Sequence, residues 1–142
     1  WVEQILATGR SELHLNAQGM SKLLLGINFY GYGYNNSKPT TGEGAMQTII
    51  DDNAKADREQ FIVTYEVLLK QFIDEAADKN DWQWLWNEDY KEHVLYNSKQ
   101  QKKIWYPTLY SIAIKLALAK HFGVGVAIWE LGQGLQYFNE LL

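Results

Sequence analysis

Two short apolar runs constrain this chain more than any other feature. They are "KLLLGINFYG", residues 22–31, and "VGVAIWEL", residues 124–131. A half-wet strand or an amphipathic helix alternates apolar with polar side chains, and neither run does. A run of this length with glycine nearby suits a strand buried on both faces, as in a parallel sheet. Two such strands do not close a sheet by themselves. The pattern therefore asks for a larger α/β fold, of which this chain would be a piece. The start at Trp1, inside the helical pattern "WVEQILATG", fits the same expectation.

Helical spacing appears on either side of the runs. Residues 1–9 read as a helix with Trp1, Ile5 and Leu6 on one side and Gly9 as its stop. Residues 64–79 repeat Tyr65, Leu68, Leu69, Phe72, Ile73 and Ala76 at helical intervals. Residues 107–123 begin with Pro107 and Thr108, turn Leu109, Ile112, Leu116 and Ala119 inward, and stop at Gly123. "GLQYFNELL" reads as a last helix. "SELHLNAQGMS" reads as a polar connection and "YGYNNSKPTTGEG" as a loop. "AMQTIIDDNAKADREQ" has no clear period. "FIV" at 61–63, "EHVLYN" and "KKIWYP" read as short strands, the last two joined by a hairpin through "NSKQQ". "WQWLWNED", 82–89, alternates and puts Trp82, Trp84 and Trp86 on one strand face. That stripe has two readings. It is a stacking platform, or it is the core of a small sheet on helix 64–79, with Trp86 the most buried.

Composition narrows the functional classes. The chain has 142 residues and a net charge of −4, with no basic cluster denser than "KQQKK" at 99–103. A phosphate backbone needs a concentrated positive footprint, so a nucleic-acid partner is not expected. No apolar window is long enough to span a membrane. There is no cysteine, hence no disulfide or thiolate chemistry. His14, His93 and His121 fall on different elements, and no metal or other cofactor is expected. Aromatics reach 14%, more than many cores need; the excess goes to dense packing or to a ligand surface. Asn35-Asn36-Ser37 is a glycosylation acceptor pattern, read as lying in a loop.

The blocks "KLLLGINFYG", "EHVLYN" and "YPTLYSIAIKLALAKHFGVGVAIWELGQGLQYF" resemble the C-terminal third of glycoside hydrolase family 18 barrels, and within that family its chitinase-like, lectin-type branch. The resemblance covers nearly the whole chain and is weakest over residues 34–60. It implies an α/β fold, the C-terminal portion of a TIM (β/α)₈ barrel. Residues 1–31 would be barrel helix six and strand seven. Residues 32–106 would be a small α+β insertion domain that walls a sugar cleft. Residues 107–142 would be helix seven, strand eight and helix eight. Active sites of such barrels lie at the C-terminal ends of the strands. The resemblance thus places Asn28, Phe29 and Tyr30 at the mouth of strand seven, and Trp129 and Glu130 at the mouth of strand eight. Trp129 matches the aromatic that floors a sugar subsite in the family. Glu130 would hydrogen-bond sugar hydroxyls or hold a neighbouring loop. Trp84 joins this set of substrate-binding candidates if the Trp stripe is a platform.

The chemistry of the family is substrate-assisted, an exception to the two-carboxylate scheme. Its acid stands in a D-x-x-D-x-D-x-E pattern at strand four, and these residues hold no such pattern. "DDNAKAD", 51–57, has acids at unrelated spacing and reads as solvated surface. No catalytic residue is therefore assigned. Three functions stay open. One is a chitinase-like protein that binds an N-acetylglucosamine-type oligosaccharide without hydrolysis. Another is an active glycosidase on chitin or peptidoglycan. The third is a barrel that binds a protein receptor. The resemblance implies a secreted or endolysosomal location.

Overall fold

The computed structural model describes residues 2–35, 59–73 and 81–142. Its elements run α1 (Val2–Ser11), α2 (Ala17–Met20), β1 (Leu24–Asn28), β2 (Gly31–Asn35), β3 (Glu59–Val63), α3 (Tyr65–Ile73), β4 (Trp82–Asn87), β5 (Glu92–Asn97), β6 (Lys102–Tyr106), α4 (Leu109–Phe122) and β7 (Gly125–Trp129). Two 3₁₀ turns, Leu131–Gln133 and Gln136–Leu141, follow.

The two apolar runs are neighbours. β1 and β7 pair in parallel, from Leu24 opposite Gly125 to Asn28 opposite Trp129. Parallel neighbours need a long crossover. Here it contains the second sheet and α4. One face of the pair is sealed: Leu25, Ile27 and Phe29 belong to the core, with Ile112, Ala119 and Phe122 of α4 and Leu6 of α1. The other face, carrying Leu24, Gly26 and Asn28 opposite Gly125, Ala127 and Trp129, is largely open. The expectation of burial on both faces is corrected on this side. Apolar character there is real, but among the described residues nothing covers it: Leu24 is 65% exposed.

α4 is the best-delimited element. Thr108 accepts from the Ser111 backbone N–H, and the Ser111 hydroxyl accepts from the Thr108 backbone N–H, which closes a capping box. Gly123 ends the helix in the left-handed region, φ 69°. Ile112 and Ala119 are buried as the spacing predicts, but Leu109 is exposed. It occupies the first turn, ahead of the point where the helix meets the strands.

Strands β3-β2-β6-β5-β4, in that order, form an antiparallel sheet. The paired residues divide its faces. Trp84, Leu95, Ile104 and Gly33 lie on one; Leu85, Val94, Trp105 and Tyr32 lie on the other. The first face carries Leu95 and Ile104, fully buried, and its core continues into Val63 and Leu68 of α3.

Several local expectations change. Gly31–Asn35 is a strand, not a loop, because it pairs on both sides, with β3 and β6. Asn35, the candidate glycosylation acceptor, therefore ends a strand opposite Glu59 and Lys102. The polar connection contains α2, capped by Asn16 through its hold on the Gly19 N–H, and it buries Met20. The last helix is a 3₁₀ turn that inserts Phe138 into the core. Of the Trp stripe, Trp82 is the most buried and not Trp86, since the Trp82 end of the strand reaches the core. Trp1, the unclear segment 45–58 with its acids, Asn36, Ser37 and the end of helix 64–79 lie outside the described residues.

Candidate functional site

The C-terminal ends of β1 and β7 lie side by side, and the sequence of each changes character there. β7 ends at Trp129, 70% exposed, the most exposed large apolar side chain among the described residues. It stands on the open face opposite Asn28. The Phe29 N–H donates to the Trp129 carbonyl at 2.9 Å and extends the parallel ladder beyond Asn28. The Trp129–Glu130 peptide is cis. Glu130 follows, exposed, and its side chain makes no capping bond to the 3₁₀ turn it precedes.

Asn28, half-buried, donates from Nδ2 to the Tyr30 carbonyl at 2.5 Å and so holds the turn between β1 and β2. The Tyr30 and Tyr32 hydroxyls are 3.0 Å apart and their rings meet edge to face at 5.3 Å. The hydrogen bond to Tyr32 holds the Tyr30 phenol above its usual range, with burial adding to it. Tyr30 therefore stays a neutral hydrogen-bonding group at physiological pH.

Phe29 leaves the candidate set. It is fully buried and packs edge to face on Phe138 at 5.0 Å. Side chains alternate along a strand, so a position between two mouth residues faces the core. Gly134 makes room for this pair: a Cβ there would lie 2.8 Å from the Phe138 ring and 2.9 Å from Phe29 Cβ. Trp84 is not with the others either. It stands on the sheet face opposite Tyr32 and Trp105. The structure thus brings together Asn28, Tyr30, Trp129 and Glu130 at the strand ends and separates Phe29 and Trp84 from them.

Tyr32, Tyr90 and Trp105 are further candidates that sequence reasoning missed. A cleft of about 520 Å³ runs along β1, with Leu24, Gly26, Asn28, Tyr90, Glu92 and Trp105 among its lining. Trp105 is paired with Tyr32 across the sheet, meets Tyr90 edge to face at 5.5 Å and carries the Lys103 ammonium 4.7 Å from its ring centre. Glu92, in the same wall, forms an ion pair with Lys115 of α4. That bond ties the antiparallel sheet to the helix below. The alternation of "KKIWY" puts Lys103 and Trp105 on one face, but only the register with β2 shows that this face meets the mouth.

This arrangement offers rings, amides and hydroxyls, with the Glu130 carboxylate at its rim and Glu92, paired with Lys115, in its wall. The chemistry of such a set suits a neutral polar ligand with apolar faces. Among the described residues no group of three or more acidic or histidine side chains would hold a metal ion. No helix among them is long and apolar enough to cross a membrane.

Comparison with known proteins gives the class. Residues 6–134 match Glycosyl hydrolases family 18, and the chain belongs to that family. It is 32% identical over 115 residues to chitinase A1 of Niallia circulans, covering 78% of this chain and 15% of that protein. It is 31% identical over 130 residues to di-N-acetylchitobiase of Rattus norvegicus, covering 85% of this chain and 33% of that protein. The chain thus spans a third or less of the length of these relatives. Among solved structures, chitinase ChiW of a Paenibacillus strain matches with TM-score 0.62 and 25% identity over 97% of this chain and 16% of that one. A class V chitinase of Nicotiana tobaccum, in complex with NAG4, matches in fold with TM-score 0.61 and 17% identity, covering 86% of this chain and 33% of that one.

Proposed function

We propose that this chain is the strand-seven and strand-eight portion of a (β/α)₈ barrel, with β1 and β7 as those strands and residues 32–106 as the insertion, and that its mouth binds an N-acetylglucosamine-type oligosaccharide. The observation that carries the reading is Trp129. It stands at the C-terminal end of β7, opposite Asn28 at the end of β1, and barrel sites are built at that end of the strands. A sugar ring presents an apolar C–H face with hydroxyls at its edge, and the site offers an indole with amide and phenol groups beside it. The open face of β1 and β7 supports the barrel: its Leu24, Gly26 and Ala127 suit a packed barrel interior.

Binding without hydrolysis is the leading reading, supported by the resemblance of the sequence blocks to the branch represented by chitinase domain-containing protein 1, the stabilin-interacting chitinase-like lectin. Hydrolysis of N-acetylglucosamine polymers by the complete protein is the second reading. The names of the relatives, a chitinase and a chitobiase, favour it. Calorimetric titration of the full-length protein with tri-N-acetylchitotriose tests the site: saturable binding is expected, and no heat at millimolar sugar would refute it. Turnover of a chromogenic chitobioside separates the readings. The lectin predicts none above a buffer blank.

A further inference from the structure

The Trp stripe of β4 is not absorbed by the mouth. Trp84 and Trp86 stand about 7 Å apart along one strand face. Their face is opposite the one that carries Tyr32 and Trp105. Trp84 is 53% exposed and Tyr110, in the first turn of α4, is 60% exposed. His93 lies among them, 4.7 Å from the Trp86 ring and 6.0 Å from that of Trp84, centre to centre; Trp86 meets Tyr110 at 4.9 Å. The four rings are one continuous surface made by two strands and a helix end.

The patch has polar groups fixed at its margin. Trp86 Nε1 donates to Glu88 at 2.5 Å, and Glu88 also pairs with Lys91. His93 Nδ1 lies 2.9 Å from the Thr108 hydroxyl. Burial lowers the imidazole below its usual range, which keeps it neutral near pH 7. Trp84 and Tyr110 stay open to solvent beside these groups. A neutral ligand with an apolar face and many hydroxyls suits such rings.

We infer that Trp84, Trp86, His93 and Tyr110 form a second saccharide-contacting surface, outside the mouth, that holds another stretch of a β-linked N-acetylglucosamine polymer. This rests on the reading of the mouth as a sugar site. A polymer long enough to reach both surfaces gains from the second contact, because that step is intramolecular. A short oligosaccharide does not. The test is the Trp84→Ala/Tyr110→Ala double variant of the full-length protein, with Trp84→Phe as a ring-preserving control. Retention on colloidal chitin is expected to weaken about tenfold, one good stacking contact, while affinity for tri-N-acetylchitotriose stays within twofold. Trp84→Phe should restore most of the retention. If the parent binds chitotriose and the double variant holds chitin as tightly as the parent, the second surface is refuted and the mouth stands. An equal loss for chitotriose and chitin also refutes it, because the variant has then disturbed the mouth or the fold. If the parent fails to bind chitotriose, the reading of the mouth falls first.

Discussion

Phe29 and Tyr30 are adjacent, and the strand gives them opposite fates. Phe29 is sealed against Phe138, whereas Tyr30 is half-buried with its hydroxyl on Tyr32. Phe29→Ala should cost about 3–5 kcal/mol of stability, the range for emptying a core aromatic site. Urea unfolding checks this: a shift under ~1 kcal/mol would move Phe29 out of the core. Tyr30→Phe keeps the ring and removes the hydroxyl bond, a change of about 1 kcal/mol in a half-wet setting. Oligosaccharide affinity should fall less than tenfold, measured by calorimetry, with little change in melting temperature. At this scale the sequence was only half legible. A continuous apolar run hides its alternation, so Phe29 reads like its neighbours until the strand direction is known. The end of the apolar run at Trp129 was legible because a large ring next to an acid breaks the pattern at one point, whereas a sugar subsite there is implied only by the family resemblance.

Elements were easier where a local signal exists. Pro107, Thr108 and Gly123 delimit α4, and the cap geometry matches them. β2 was missed because glycine and asparagine are turn residues, yet here they serve a crowded pairing. A Cβ on Gly31 would come within 2.3 Å of the Trp105 carbonyl oxygen, a backbone atom that cannot step aside. Gly31→Ala should therefore displace β2 from β6 and weaken saccharide binding with it, because Tyr30 and Tyr32 flank the same turn. The junction of β5 with α4 also gives a pH dependence. His93 Nδ1 lies 2.9 Å from the Thr108 hydroxyl, within the cap of α4. The folded-state pKa of His93 is lowered by burial from the ordinary 6.5, the Glu92 charge opposing in part. The unfolded chain thus binds the proton first as pH falls. The His93 contribution is complete above about 6.5 and declines below it, toward the depressed folded value. Thermal melts from pH 7.5 to 5 should show this decline, reduced in His93→Gln; equal slopes in both proteins would assign it elsewhere.

At the scale of the whole molecule, the open face of β1 and β7 decides the behaviour. Leu24 and Trp129 stand on it, and Ile5 of α1, 60% exposed, lines the cleft beside it. Such a surface, with β1 paired on one side only among the described residues, invites association. The 142-residue chain expressed alone should therefore aggregate or melt without cooperativity. Size exclusion and a urea titration check this, and a monomer with a sharp reversible transition would contradict it. That the two apolar runs are strands of parallel type was legible in their unbroken apolar character, and they pair in parallel. The division of the antiparallel sheet into a face toward the mouth and a face carrying Leu95 and Ile104 was not, because register is a long-range property. Trp129 either meets sugar or plugs a core. The direct measurement is tri-N-acetylchitotriose affinity of full-length Trp129→Ala, with a thermal melt of the same sample. Loss of a stacking partner worth on the order of 0.5–1.5 kcal/mol, plus its apolar contact, predicts a roughly tenfold or greater drop in affinity and a nearly unchanged melt. Unchanged affinity in a folded variant, or a stability loss of about 3–5 kcal/mol as for an emptied core, would contradict it.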